Sequence, residues 1–144
     1  MKYIIIVLLA FSALSCGKSS EDRQKTLAYL EKSREFVSGN EYSGIHFSAK
    51  DSSVTKDDSG KYSLEEKKYR RIYNSVLSEK FDSIAVSCGF RDFREADSYV
   101  IEFKEDAVIK LVLDKYMQEL KDRHDFIEKE VSLSLEKINE SIRK

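Results

Sequence analysis

The feature that most limits the fold of this chain is the near absence of residues that interrupt helices. The 144 residues include no proline and only five glycines, and the stretch from Phe93 to Lys144 contains neither. Sheet sandwiches depend on many turns that contain glycine or proline, whereas long uninterrupted segments favour helices. The composition therefore predicts an all-α fold, a small bundle of three to five helices joined by few connections.

Residues 21–38 carry apolar side chains at helical spacing and predict a first helix, with Gly39 and Asn40 as a left-handed stop. Residues 40–62 are rich in Ser, Asp, Lys and Gly and predict a long polar loop, with a short extended stretch at 45–49. A loop of this length is either functional or disordered.

Three aromatic residues fall within this predicted loop: Tyr42, Phe47 and Tyr62. Exposed aromatic side chains on a polar loop are typical of protein recognition, so all three are candidate partner-binding residues. Packing of the loop onto the bundle is the alternative explanation. His46 lies between two of them and is expected to be solvated.

Later in the chain, residues 63–66 and 92–95 both have the spacing of a capping box and predict the starts of two helices. Gly89 is expected to end the first of these helices. The polar run 121–125 and a shift of the apolar stripe predict that the last segment forms two helices that meet there. Four apolar residues are expected core positions: Ile72, Val76, Val100 and Ile127.

The N-terminal segment has a different character. Residues 1–15 contain one charge, a run of about ten apolar residues and then small side chains before Cys16, which is the anatomy of an export signal and too short to span a bilayer. The segment resembles the lipobox of bacterial lipoproteins. It matches the relaxed form found in spirochaetes, because Leu14 stands second before the cysteine where the usual pattern has Leu third.

This resemblance implies that Cys16 becomes the first residue of the mature chain and carries a diacylglycerol thioether. The predicted organisation is a signal peptide at 1–15, a lipidated cysteine and tether at 16–22, and a helical bundle domain at 23–144. By resemblance to enterobacterial sorting, Gly17 implies anchoring in the outer membrane, on either its surface or its periplasmic face. The turn at 88–95 resembles that of small helical envelope proteins of unknown function, which implies no activity.

Several chemistries are not supported by the residues. The 25 basic and 26 acidic residues balance, which argues against nucleic-acid binding. Residues 55–66 approach the spacing of a calcium loop, but Thr55 stands where that site needs an aspartate. His124 has too few neighbouring ligands for zinc and is expected to fill a bundle seam. Cys88 is expected to be a small buried residue without a disulfide partner.

The sequence thus predicts a lipid-anchored cell-envelope protein that acts as a non-catalytic binding module, with the membrane and a protein as its partners. A periplasm-facing structural or assembly lipoprotein of the outer membrane is the alternative. No catalytic residue, metal or cofactor is predicted, because no nucleophile–base, metal or phosphate-binding pattern is present.

Overall fold

The computed structural model describes residues 19–143, so the predicted signal peptide and Cys16 lie outside the described residues. In this part of the chain there are five helices and one short hairpin: α1 (Ser20–Ser38), α2 (Asn40–Asp51), β1 (Val54–Lys56), β2 (Tyr62–Leu64), α3 (Glu66–Ser87), α4 (Phe93–Glu102) and α5 (Ala107–Arg143). The prediction of a small all-α domain is confirmed.

The first helix begins at a capping box that the sequence analysis did not identify. The Ser19 hydroxyl accepts from the backbone N–H of Asp22 at 3.1 Å, and the Asp22 carboxylate accepts from the N–H of Ser19 at the same distance. Both contacts satisfy backbone donors that a helix start leaves open. The helix therefore starts at Ser20, inside the predicted tether.

The predicted polar loop at 40–62 is wrong. Gly39 has an extended backbone rather than a left-handed one, and α2 follows it directly. The inward positions of α2 are Tyr42, His46 and Ala49, which recur at helical spacing and are all buried. The polar residues that suggested a loop, and the stretch at 45–49 that suggested a strand, belong to a helix with one buried face.

The rest of that segment is an antiparallel hairpin in which Val54 pairs with Leu64 and Lys56 with Tyr62. In its turn, the Asp57 carboxylate accepts from the backbone N–H groups of Ser59 and Lys61, each at 2.9 Å. Gly60 supplies a φ of 87°, which the turn requires. Because Ser63 pairs within the hairpin, it does not cap α3, and the predicted capping box at 63–66 is wrong.

The turn between α3 and α4 lies where it was predicted, with one of the two contacts of the predicted capping box at 92–95 in place. Gly89 has a φ of 95°, and the N–H of Phe90 donates to the Ala85 carbonyl at 2.9 Å, which closes the end of α3. The Asp92 carboxylate accepts from the N–H of Glu95 at 2.9 Å and caps α4. Both signals are local, so they could be identified from neighbouring residues alone.

The last helix is continuous, and the predicted break at 121–125 is wrong. Lys121, Asp122 and Asp125 of its polar run are exposed, while Arg123 donates to the carbonyl of Ser38 at 2.7 Å and so caps the end of α1. The break lies earlier, where Asp106 accepts from the N–H groups of Val108 and Ile109 and pairs with Arg23 at 2.6 Å. At 37 residues, α5 is about 55 Å long.

Helix α1 packs along α5 and also touches α2, α3 and α4, so it is the central element of the bundle. Two groups of buried side chains hold it there. The apolar cluster consists of Tyr29, Leu30, Ala85, Phe90, Ala96, Val100, Ile109 and Val112. The second group consists of Val37, Tyr42, Ile127 and Val131. Of the expected core positions, Val100 and Ile127 are buried, whereas Ile72 and Val76 are half-buried.

Candidate binding groove

An apolar groove lies between α3 and α5. These two helices make little direct contact with each other, and the space between them is floored by α1 and α2. Two cavities of about 480 and 490 Å³ fill this space. They share five lining residues and are two lobes of one groove: Phe81, Phe93, Tyr116, Met117 and Leu120. Met117 is 54% exposed on the groove wall.

One lobe ends at a cluster of rings around His46, here called the histidine cluster: Tyr42, His46, Tyr69 and Tyr73. The imidazole of His46 is 1% exposed and lines the groove. Its ring centre lies 4.5 Å from that of Tyr73 and 6.1 Å from that of His124. Helices α2, α3 and α5 all contribute to this end of the groove.

The two ring nitrogens of His46 differ. Nδ1 lies 3.1 Å from the Tyr69 hydroxyl, whereas buried Nε2 has no hydrogen-bond partner among residues 19–143. A buried polar atom left without a partner costs about 1–3 kcal/mol. The unpaired nitrogen therefore marks this end of the groove as a place where a polar group of a ligand would be stabilised.

Burial also fixes the charge of this end. Desolvation, helped by the nearby His124, lowers the pKa of His46 to about 4, and burial raises the pKa of Tyr69 to about 12. At neutral pH both groups are therefore uncharged. His124 is half-buried, and its Nε2 lies 2.9 Å from the Glu128 carboxylate. The exposed Lys121 adds a positive charge to the same lobe.

The other lobe ends at a carboxylate. The Tyr29 hydroxyl donates to Asp97 at 3.0 Å, and desolvation raises the pKa of Asp97 although much of the residue is exposed. The remaining lining here is largely apolar, from Val100, Ile101 and Leu113. The groove thus has one end with a neutral histidine, an unpaired ring nitrogen and a nearby lysine, and an acidic end whose carboxylate is already hydrogen-bonded.

The three predicted partner-binding residues occupy different places. Tyr42 is 3% exposed and forms part of the groove floor, rather than standing on a loop. Phe47 is half-buried against the second buried group. Tyr62 lies in β2, where its backbone exchanges two hydrogen bonds of 2.8 Å with the Asn139 side chain. Of the three, Tyr42 alone lines the groove.

His46, expected to be solvated, is instead among the most buried residues of the described chain. The sequence does contain a sign of this burial, because His46 lies between Tyr42 and Ala49 on one face of a helix. Cys88 is a half-buried free thiol, and its sulfur lies 3.9 Å from the Ser87 hydroxyl. Neither cavity is lined by this cysteine.

Within residues 19–143, no group of three or more His, Cys, Asp or Glu side chains is placed to hold a metal ion. None of the helices in this range combines the length and hydrophobicity needed to cross a membrane. Comparison with family models, with curated proteins and with solved structures finds no match to this chain.

Proposed function

We propose that this chain is a lipid-anchored, non-catalytic binding module of the bacterial cell envelope whose groove between α3 and α5 takes an apolar ligand. The observation that carries the proposal is the groove itself, with two lobes of nearly 500 Å³ each. Cavities of this size, lined by apolar and aromatic side chains with a few polar groups, are typical of ligand sites.

The anchoring part of the proposal is supported by the sequence of the first 16 residues. A short apolar run followed by small residues and a cysteine suits export and lipid attachment at Cys16. Two or more acyl chains hold a protein on a membrane effectively permanently. A binding module fixed at the membrane surface would encounter apolar ligands at high local concentration.

The binding part is supported by which side chains line the groove. Met117 stands more than half exposed on its wall, and Phe81 and Phe93 are half-buried beside it. Methionine has a flexible, polarisable side chain that adapts to apolar ligands of varied shape. Closing the groove by packing α3 onto α5 would bury these side chains within the fold, yet the two helices remain apart.

A non-catalytic role is supported by the surroundings of the two groups best suited to chemistry. His46 contacts three tyrosines whose pKa values are raised by burial, so their hydroxyls stay protonated at neutral pH and are not activated as nucleophiles. The Cys88 thiol lies at the end of α3 beside Ser87, outside both lobes.

The groove is tested with a neutral, apolar photoreactive probe added to envelope membranes that contain the full chain. Mapping of labelled peptides should place adducts on the groove faces of α3 and α5. Met117→Glu should abolish this labelling, because it puts a charge into the apolar wall. The matched control is Leu111→Glu, which alters a residue 57% exposed on α5 but outside both lobes, and it should label like the wild type.

Equal labelling of all three proteins, or no adduct on α3 and α5, would contradict the groove proposal. The anchor is tested separately by mass spectrometry of the N-terminal peptide and by detergent partitioning. Cys16→Ala should remove the lipid mass and release or stall the precursor. A mature chain with an unmodified Cys16 would contradict the anchoring proposal and leave the groove result standing.

A further inference from the structure

We infer that the groove binds a free long-chain fatty acid, with the carboxylate at the His46 end and the acyl chain running toward Asp97. This inference rests on the proposed function, because it names the ligand class of the same groove.

The hydrogen bond between Tyr69 and His46 determines which imidazole nitrogen carries the proton. Within residues 19–143 the Tyr69 hydroxyl makes a single hydrogen bond, to Nδ1 of His46. A phenol that is 4% exposed needs an acceptor for its own proton, so Tyr69 donates to Nδ1. The neutral imidazole then carries its proton on Nε2, and the unpartnered atom is a buried donor that requires an acceptor such as a carboxylate oxygen.

The charged side chains differ between the two ends of the groove. Lys121 lines the lobe that contains His46, together with the polar side chains of Asn74 and Ser78. The Glu128 carboxylate lies near this end but is engaged with His124 at 2.9 Å. At the far end, Asp97 would repel an anionic head group while the apolar side chains around it accept a chain terminus. A carboxylate is therefore favoured at one end of the groove only.

The depth of His46 in the groove favours a fatty acid over an amphipathic helix of a protein partner. Such a helix would lay its apolar face into the groove and keep its polar groups at the rim. The free N–H of His46, however, belongs to a residue only 1% exposed on the groove floor. His46 lines this lobe, so the carboxylate of a slender ligand bound here lies beside the imidazole, whereas the apolar face of a helix offers it no acceptor.

The test uses the full chain in isolated envelope membranes and two alkyne-tagged palmitic acid analogues, with the diazirine near the carboxyl group in one and near the methyl end in the other. We expect the carboxyl-proximal probe to label α3 around Tyr73 and α5 around Lys121. The methyl-proximal probe should label α4 and the Leu113 region of α5. Excess palmitate should suppress both signals, and hexadecylamine, which has the same chain and a positive head, should not.

Two variants address the head-group site. His46→Phe should weaken labelling about tenfold, the scale of one lost hydrogen bond to a charged group. Lys121→Met should weaken it by a smaller factor and keeps the floor of the groove intact, so it remains informative if the His46 variant does not fold. Lys129→Met, at an exposed position of α5 outside both lobes, is the matched control and should have no effect.

Reversed labelling by the two probes, equal competition by hexadecylamine, or unchanged labelling in both head-group variants would overturn the inference. So would stronger competition by a short amphipathic Leu/Lys peptide than by palmitate, which would point to a protein partner. If the neutral probe labels the groove but the palmitate probes do not, the inference fails and the proposed function stands. If neither labels it, both fail.

Discussion

The two ends of the groove are built from different kinds of side chain. At the Asp97 end, the apolar cluster packs Tyr29 against Phe90 edge to face at 6.1 Å, and the polar atom of Tyr29 is hydrogen-bonded to Asp97. At the other end, the rings of the histidine cluster surround an imidazole whose Nε2 has no partner among the described residues. The buried hydroxyl of Tyr29 has a partner at one end, whereas the buried imidazole nitrogen at the other end has none among residues 19–143.

This difference indicates a division of roles. A satisfied apolar cluster stabilises the fold, because each buried side chain gains transfer free energy without leaving a polar atom unpaired. An unpaired buried nitrogen lowers stability until a ligand supplies its partner. We therefore expect substitutions in the apolar cluster to affect folding most, and changes in the histidine cluster to affect pH dependence and binding.

The largest effect is expected from Leu30→Ala in the apolar cluster. Leu30 is 1% exposed, and its truncation should lower the free energy of unfolding by about 2–5 kcal/mol, through lost transfer free energy and a residual cavity. Urea denaturation of a fragment that begins at Ser19 measures it. The control is Leu111→Ala, at an exposed position, which should change stability by less than about 0.5 kcal/mol. Equal losses for both variants would refute the assignment of this cluster as the main core.

The histidine cluster should make stability depend on pH. The folded pKa of His46 is about 4, below the unfolded value of 6.5, so between these values the unfolded chain binds more protons. The stabilising contribution of neutral His46 should be fully present above about pH 6.5. As the pH drops toward 4, the free energy of unfolding should fall by about 3 kcal/mol in total. Denaturation at several pH values measures the slope.

His46→Phe is the control for this experiment. In this variant the free energy of unfolding should depend less on pH in the upper part of that range. Asp106 and Glu119 also lose stabilising ion pairs in acid, but their pKa values are lowered by Arg23 and Arg34 and their titration falls at lower pH. An unchanged slope in the variant would show that His46 is accessible to protons in the folded chain.

The smallest effect is expected from loss of the hydrogen bond between Tyr29 and Asp97 at the Asp97 end of the groove. Asp97→Ala removes the acceptor of the Tyr29 hydroxyl and should cost about 1 kcal/mol, since Asp97 is open to solvent and water can replace part of the bond. Asp97→Asn keeps a side-chain oxygen and should cost less. Thermal unfolding of the two variants gives the difference. A larger loss of stability in Asp97→Ala than in Leu30→Ala would show that this hydrogen bond contributes more to stability than the apolar packing does.

The sequence by itself determined the helical class, the stop at Gly89 and the cap at Asp92. These signals depend on residues a few positions apart, because a left-handed glycine or a capping carboxylate acts on its own turn of backbone. The lipid anchor at Cys16 likewise follows from contiguous residues and stays a prediction, since it lies outside the described part of the chain.

Only the tertiary structure decided that residues 40–51 form a helix, that His46 is buried and that α5 continues through its polar run. Each depends on partners distant in the chain: Tyr69 and Tyr73 of α3 enclose His46, and the carbonyls at the end of α1 receive Arg123. The groove also exists only in the folded chain, because it is the space left where α3 and α5 pack on α1 and α2 rather than on each other. Local sequence sets the backbone conformation of each turn. Whether a side chain is buried depends on which residues of the other helices pack against it.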